Sequence, residues 1–220
     1  MYKAIIFDFD YTLGDSTEGI VACVNYVMEA MGLKTQEESR IRKTIGLTLK
    51  ETYKALTGDA SDEAAENFRQ LFVKKADEVM VAGTVLYQGV KEILQELRDR
   101  GYKIGIVTTK YSYRIRDIFS KFDALSLLDL IVGGDDVKVE KPSPEGLLYA
   151  IDRFGFDKKE VLYVGDSIVD AKTAKNADVD FAAVLTGATT REEFAQYPKV
   201  LLGEHVGDVY TYITDRNVGV

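Results

Sequence analysis

Five short apolar runs, separated by longer stretches, limit the possible folds of this chain more than any other feature. Most of the runs lack the alternation of a half-buried strand, and continuous apolar character is typical of strands covered on both faces. From residue 84 onward, stretches with helical apolar stripes separate the runs. This alternation predicts an α/β protein with a doubly wound parallel sheet. The predicted strands cover residues 4–7, 103–109, 127–134, 160–167 and 180–187.

The region between the first predicted strand and the others contains only helical patterns. We therefore predict a small all-helical domain, residues 16–83, inserted after the first strand, and a core domain made of residues 1–15 and 84–214. The tail, residues 215–220, has no periodicity and is expected to be frayed. The predicted helices of the insert cover residues 18–31, about 48–57, and 61–80.

Composition excludes several classes of protein. The net charge of −8 argues against a general nucleic-acid binder, because such proteins present basic surfaces. The single cysteine, Cys23, has apolar neighbours at helical spacing and is expected to be a buried core thiol. No signal pattern is present, and no run approaches the roughly 18 apolar residues of a membrane span. We expect a reducing, cytoplasmic setting with no nucleic-acid, membrane or obligate protein partner.

Polar residues follow several predicted strands at the points where they end. Asp8 and Asp10 follow the first run, Thr108 and Thr109 end the second, and Asp166 lies at the end of the fourth. In open α/β sheets ligands bind beyond the carboxyl ends of the strands, so these residues should gather along one edge. Converging carboxylates repel one another, and a divalent cation relieves the repulsion. An all-oxygen ligand set favours Mg²⁺, and we predict Asp8, Asp10 and Asp166 as its ligands.

The same groups are suited to phosphoryl transfer. A cation, a lysine such as Lys141 and a hydroxyl group together form a pocket for phosphoryl oxygens. A carboxylate in that pocket can act as a nucleophile and form an aspartyl-phosphate. A second carboxylate two residues later can protonate the leaving group and then activate water.

Four segments carry these polar residues: "DFDYTLGDS" (8–16), "GIVTT" (105–109), "KPSP" (141–144) and "GDSIVD" (165–170). They resemble the four motifs of the haloacid dehalogenase superfamily of phosphohydrolases. The motifs occur in the family's order, and the helical insert resembles the cap of the branch that contains phosphoglycolate phosphatase and beta-phosphoglucomutase. Any one motif is weak by itself, but four in order are specific.

The resemblance implies a role for each matching residue. Asp8 corresponds to the nucleophile and a metal ligand. Asp10 corresponds to the general acid/base, and its main-chain carbonyl also contacts the metal. The remaining implied roles are phosphoryl binding by Thr108, contact with Asp8 and the phosphate by Lys141, Mg²⁺ ligation by Asp166, and support of the metal site by Asp170.

The second acid and two departures from the family pattern bear on the substrate. Asp10 favours phosphate chemistry, because the dehalogenase branch lacks this acid. Tyr11 stands where the family often has a small residue, commonly Gly, and it could narrow the pocket or stack on the substrate. Thr109, predicted with Thr108 to bind substrate, stands where Asn is common. Asp170 has an alternative interpretation as a first-turn helix charge.

The insert contains a basic cluster, Arg40, Arg42, Lys43 and Lys50, around Gly46. Two interpretations are open for this cluster. Arg42, Lys43 and Lys50 could bind an anionic group of the substrate, or the cluster could be an ordinary solvated face.

The sequence predicts a Mg²⁺-dependent phosphatase for a small phosphorylated metabolite, with phosphoglycolate favoured by the resemblance. Closure of the insert as a cap would exclude water from the reaction. Other interpretations stay open: a pyrophosphatase, a sugar-phosphate mutase with a long-lived aspartyl-phosphate, or a phosphonate-cleaving enzyme with a Schiff-base lysine. A regulatory or binding module without turnover is the alternative outside the enzymes.

Overall fold

The computed structural model describes residues 1–215. Within them the chain forms two compact units. Among the described residues, the first unit contains residues 1–14 and 86–215, and the second is Asp15–Val85. Residues 216–220, part of the tail expected to be frayed, lie outside the described residues.

A six-stranded sheet with flanking helices forms the first unit, which confirms the predicted doubly wound α/β class. All of its strands pair in parallel, in the order β5-β4-β1-β6-β7-β8. The first strand lies near the centre, where Phe7 pairs with Ile106 on one side and Val164 on the other. The strands are β1 Ala4–Phe7, β4 Lys103–Val107, β5 Leu130–Val132, β6 Val161–Gly165, β7 Asp180–Val184 and β8 Leu201–Gly203.

Apolar side chains alternate between the two faces of this sheet. On one face Ala4 and Ile6 belong to a buried cluster with helices α7 and α8, to which Leu147 and Ala174 contribute. Because both faces of β1 are buried, all four of its residues are apolar, as the continuous run predicted. The helices of this unit are α5 Val90–Asp99, α6 Ser112–Lys121, α7 Glu145–Phe154, α8 Ile168–Ala177, α9 Arg191–Phe194 and α10 Val206–Asp215.

The sheet differs from the sequence prediction at its edge and at its strand ends. The edge strand β8 was not predicted, because its three residues are too few to form a recognisable apolar run. The first strand has the predicted bounds, whereas the other four predicted strands are shorter than predicted. For example, β4 ends at Val107, so Thr108 and Thr109 lie in the loop beyond it. This places the polar residues after the strand rather than inside it.

The second unit has its own helical core. Its helices are α1 Thr17–Ala30, α2 Glu38–Arg42, α3 Leu49–Thr57 and α4 Asp62–Val79. Cys23 is fully buried in an apolar cluster with Val27 and Phe68, which confirms the prediction of a core thiol. Helix α3 begins at a capping box formed by Thr48 and Glu51 and ends at Gly58, which has a φ of 75°.

A small separate sheet pairs β2, Gly14–Asp15, with β3, Val85–Leu86. These two strands contain the residues at which the chain leaves and re-enters the first unit. The predicted roles of the two units as catalytic core and cap stay predictions.

None of the helices formed by residues 1–215 combines the length and the apolar character needed to span a bilayer.

Candidate active site

The loop after β1 carries the acid pair through a tight turn. The Phe9 carbonyl accepts hydrogen bonds from the backbone N–H groups of residues 12–14, at 3.1, 2.9 and 3.2 Å. Asp8 is 2% exposed and Asp10 is 8% exposed, so both carboxyls are buried at the end of the strand. Burial of two carboxyls so close in sequence is unfavourable without nearby cations.

Tyr11 adopts a left-handed backbone conformation in this turn, with a φ of 61°. Its N–H donates to the Gly14 carbonyl at 2.7 Å, and its own carbonyl accepts a hydrogen bond from the Thr186 hydroxyl. Glycine adopts this conformation without steric cost, which explains why Gly is common here in the resembling family. The Tyr11 side chain is buried.

Lys141 is the cation that faces Asp8. Its Nζ donates to Asp8 Oδ1 at 2.8 Å and to Asp170 Oδ1 at 2.7 Å, and its side chain is only 5% exposed. Asp8 and Lys141 are 133 residues apart in the chain. The fold therefore places Lys141, of the predicted lysine motif, in direct contact with Asp8, the predicted nucleophile.

Asp166 and Asp170 have different surroundings although both follow β6. Both oxygens of Asp170 are occupied, since Oδ1 accepts from Lys141 and Oδ2 accepts from the Ser167 N–H at 3.1 Å and its hydroxyl at 2.5 Å. Among residues 1–215, Asp166 accepts a side-chain hydrogen bond at one of its oxygens, from the Thr12 hydroxyl to Oδ1 at 3.3 Å. Asp166 is therefore the freer of the two to bind a ligand, and Asp170 is held in a supporting position.

Burial and charge shift the protonation of these groups. Burial, together with repulsion from Asp170, raises the pKa of Asp8 to about 6, although Lys141 acts in the opposite direction. Burial raises the pKa of Asp166 well above its ordinary value, with further contributions from Asp170 and Asp8. Burial acts to lower the pKa of Lys141, but the carboxylates of Asp170 and Asp8 raise it well above its ordinary value. The lysine is therefore charged at neutral pH.

The arrangement fits a divalent metal ion. Asp8, Asp166 and Asp170 each offer a carboxylate oxygen, and these oxygens lie within 4.8 Å of one another. Within residues 1–215, Asp10 Oδ1 is a buried oxygen that has no hydrogen-bond partner. Buried carboxylates that repel one another, with one oxygen unsatisfied, are stabilised by an added cation. The three clustered carboxylates include Asp170. The sequence prediction instead named Asp10 as the third ligand, and the family resemblance implied that its main-chain carbonyl contacts the metal.

Divalent-cation affinity should depend steeply on pH. Metal ligands must lose their protons on binding, and the pKa of Asp8 is raised to about 6. Below that pH the cation competes with a proton, so we expect Mg²⁺ affinity to weaken roughly tenfold for each pH unit below about 6. Isothermal titration calorimetry at pH 5, 6, 7 and 8 measures this, and Asp8→Asn should reduce the dependence to the part contributed by Asp166, whose pKa is also raised. Equal affinity at pH 5 and pH 7 would contradict it.

Lys110 also follows the second predicted strand, but the sequence prediction gave it no role in the site. It follows Thr108 and Thr109, and its Nζ lies 3.2 Å from Asp10 Oδ2 with its side chain 6% exposed. Thr108 is buried, and its hydroxyl accepts from the Lys110 N–H at 3.3 Å. Each acid of the pair thus has its own buried lysine. The sequence shows a lysine directly after the two threonines that follow the strand. Nothing in the sequence pattern indicates that this lysine pairs with Asp10.

Gly187 lies directly against Asp166. A Cβ at Gly187 would lie 1.8 Å from Asp166 Oδ2 and 2.7 Å from its Cγ, so any side chain there must displace the carboxylate. We expect Gly187→Ala to weaken Mg²⁺ affinity at least tenfold, because the Asp166 carboxylate can no longer keep its position. Calorimetric titration with Mg²⁺ at pH 7 measures the change.

A matched control for this variant is Gly207→Ala in α10. A Cβ at Gly207 would meet only the imidazole of His205 at 3.0 Å, and that side chain is 66% exposed and free to move. The control should bind Mg²⁺ as wild type does. If Gly187→Ala also binds Mg²⁺ with unchanged affinity, Asp166 is not a ligand.

The basic cluster of the second unit forms ion pairs within that unit. Lys50 Nζ lies 2.8 Å from Glu66 Oε2, and Arg42 lies 3.5 Å from Glu38 Oε1. Lys43 is exposed. These contacts are those of a charged helical surface, and the pairing of Lys50 and Arg42 partly neutralises the positive charge on which the substrate-binding interpretation depends.

Fold and site together define an enzyme with a doubly wound α/β core and a buried, lysine-paired carboxylate at the carboxyl edge of its parallel sheet. The model of the haloacid dehalogenase-like hydrolase family matches residues 5–184. The chain therefore belongs to this family, and within it to the phosphoglycolate phosphatase-like branch. It is a phosphatase, as are its curated relatives.

Curated relatives and a solved structure support this assignment. A phosphoglycolate phosphatase from Nitrosococcus oceani is 30% identical over 194 residues, covering 84% of each chain. Pyrophosphatase PpaX from Bacillus velezensis is 31% identical over 206 residues, covering 94% of each chain. The crystal structure of a haloacid dehalogenase-like hydrolase from Bacteroides fragilis aligns with a TM-score of 0.92 at 43% identity, covering 95% of this chain and 100% of that one.

Proposed function

We propose that this protein is a Mg²⁺-dependent phosphatase that hydrolyses a small phosphorylated metabolite through an aspartyl-phosphate. The observation that carries the proposal is the contact between Lys141 Nζ and Asp8 Oδ1, at 2.8 Å in a buried position. A carboxylate held by an ammonium group can attack phosphorus, and the same ammonium can stabilise the charge of the phosphoryl oxygens.

Each residue of the site has a distinct task in this proposal. Asp8 attacks phosphorus and carries the phosphoryl group. Asp10 protonates the leaving oxygen and then takes a proton from the attacking water, for which its unpartnered Oδ1 is suited. Thr108 and Thr109 donate hydrogen bonds to the phosphoryl oxygens.

Metal binding falls to Asp8, Asp166 and the main-chain carbonyl of Asp10, with Asp170 in support. When bound, Mg²⁺ supplies charge neutralisation for the phosphoryl group and for the carboxylates around it. The raised pKa values of Asp8 and Asp166 support this role, since both reflect negative charge that burial makes unfavourable.

Two substrate classes are supported by the relatives. Phosphoglycolate remains the favoured substrate, and pyrophosphate is the second candidate because a pyrophosphatase is as similar to this chain as the phosphoglycolate phosphatases are. A small substrate also agrees with the prediction that residues 16–83 act as a cap. We keep the prediction of a cytoplasmic setting.

Phosphate release across a panel of phosphorylated metabolites tests the proposal. The panel includes phosphoglycolate, pyrophosphate and hexose phosphates, each with Mg²⁺ and with excess chelator. We expect release from at least one substrate, its loss in chelator and its return on adding Mg²⁺. Full activity in chelator would exclude the metal, and a phosphoenzyme burst without steady release would favour the mutase. No turnover of any substrate would favour a binding module.

The basic cluster of the insert is proposed to bind a second anionic group of the substrate. If it does, Arg42→Ala, Lys43→Ala or Lys50→Ala should reduce kcat/KM for phosphoglycolate at least tenfold, the scale of one contact of about 1.4 kcal/mol. The same variants should leave the hydrolysis of a neutral aryl phosphate unchanged. Lys43 is the strongest candidate, because Arg42 and Lys50 already pair with acids. Equal effects on both substrates would identify the cluster as a solvated face.

A further inference from the structure

A phenol in the centre of the sheet contacts the Lys141 ammonium. Tyr163 lies in the middle of β6, between Ile6 of β1 and Phe181 of β7, and it is completely buried. Its ring packs against Phe181 with the centroids 6.2 Å apart. A phenylalanine could fill this place equally well, so packing alone does not account for the hydroxyl.

The hydroxyl of Tyr163 is surrounded by polar groups. It accepts from Lys141 Nζ at 3.1 Å, and it lies 2.9 Å from Asp170 Oδ1 and 3.1 Å from the Val107 carbonyl. A phenol has one proton, which it can donate to Asp170 or to Val107 while it accepts from the lysine. Burial of the hydroxyl is therefore fully compensated by hydrogen bonds.

The three donors of the Lys141 ammonium match three acceptors. They are Asp8 Oδ1 at 2.8 Å, Asp170 Oδ1 at 2.7 Å and Tyr163 Oη at 3.1 Å. An ammonium group on a flexible four-carbon chain has no preferred direction of its own. With every donor engaged, the group has a single orientation, and one of its hydrogens points at Asp8.

Tyr163 Oη, the third acceptor, is neutral, and this avoids adding negative charge next to three buried acids. Asp8, Asp166 and Asp170 already place three buried acids within a few ångströms, and their repulsion contributes to the raised pKa values of Asp8 and Asp166. A further carboxylate at position 163 would add to that repulsion. A phenol completes the hydrogen bonds of Lys141 without adding charge.

We propose that Tyr163 is a positioning residue for phosphoryl transfer, which fixes the direction of the Lys141 ammonium toward Asp8. The expected effect on phosphoryl transfer rests on the proposed function. The orientation of the Lys141 ammonium by Tyr163 does not depend on that function. Loss of the hydroxyl leaves Lys141 with one donor unpaired and free to turn. The attack on phosphorus should slow, because it needs the ammonium in place, whereas substrate binding should change little.

The variant that tests this is Tyr163→Phe, which removes one oxygen and keeps the ring. We expect kcat for p-nitrophenyl phosphate to fall at least tenfold while KM changes less than threefold. Tyr2→Phe is the matched control, because Tyr2 Oη also donates a hydrogen bond to a carboxylate, Asp180 Oδ2 at 2.7 Å, at an exposed position. The control should keep wild-type kcat.

A second measurement does not depend on turnover. In ¹⁵N-labelled protein a buried, fully hydrogen-bonded ammonium exchanges slowly with water and gives its own ¹H–¹⁵N signal, which Lys141→Arg assigns by its absence. We expect Tyr163→Phe to accelerate the exchange of that signal at least tenfold and Tyr2→Phe to leave it unchanged. If wild type hydrolyses no phosphate ester but the signal responds in this way, the positioning role stands and the proposed function fails. Unchanged exchange in Tyr163→Phe, with or without a change in kcat, would overturn the positioning role.

Discussion

Replacement of Asp8 with asparagine should reduce phosphate release to background while the protein stays folded. The amide has nearly the shape of the carboxyl, but its oxygen does not attack phosphorus, so no aspartyl-phosphate can form. Folding should be little affected, because the pKa of Asp8 is raised to about 6 and its buried charge is itself unfavourable. Steady-state phosphate release and acid-quenched labelling with a ³²P-labelled substrate measure the loss.

The matched control for this prediction is Asp135→Asn. Asp135 also follows a strand of the sheet, but its Oδ1 accepts from the Ser112 N–H at 2.6 Å, a hydrogen bond that asparagine can keep. The control should retain most of the wild-type activity. Activity of Asp8→Asn within tenfold of wild type would exclude Asp8 as the nucleophile.

Replacement of Lys141 with methionine should abolish activity and also destabilise the protein strongly. The ammonium lies between Asp8 and Asp170, and its removal leaves two buried carboxylates without their cation. Removal of one partner from a buried ion pair typically costs about 3–5 kcal/mol. Urea unfolding in the presence of chelator measures this loss, and phosphate release measures the activity.

The pH dependence of this variant has a definite sign. Without Lys141 the folded-state pKa of Asp8 rises further above its unfolded value, because the lysine is the group that lowers it. The folded state then binds more protons than the unfolded state between those two pKa values, so its stability falls as pH rises. The loss relative to wild type should be larger at pH 8 than at pH 5. Lys141→Arg, which keeps the charge, should recover part of the stability, and equal losses for both variants would show that charge is not the cause.

The sequence by itself determined the class of fold and where the site lies in it. Continuous apolar runs such as Ala4–Phe7 can be buried on both faces only in a covered parallel sheet, so local pattern was sufficient. The carboxyl ends of parallel strands share one edge of the sheet. The sequence alone therefore predicts that Asp8, Thr108 and Asp166 lie close together. The order of the motifs identified the family without a structure, because each motif is a short segment that can be read from local sequence.

The tertiary structure alone decided which charges meet. Lys110 pairs with Asp10, and Tyr163 contacts Lys141. The partners are 100 and 22 residues apart, so hydrophobic periodicity cannot predict either contact. Packing likewise gave Lys50 an acidic partner in Glu66, on a different helix of the same unit. Hydrophobic pattern fixes which face of a helix or strand is buried, whereas an ion pair depends on distances of a few ångströms between elements. Those distances are set only when the elements pack.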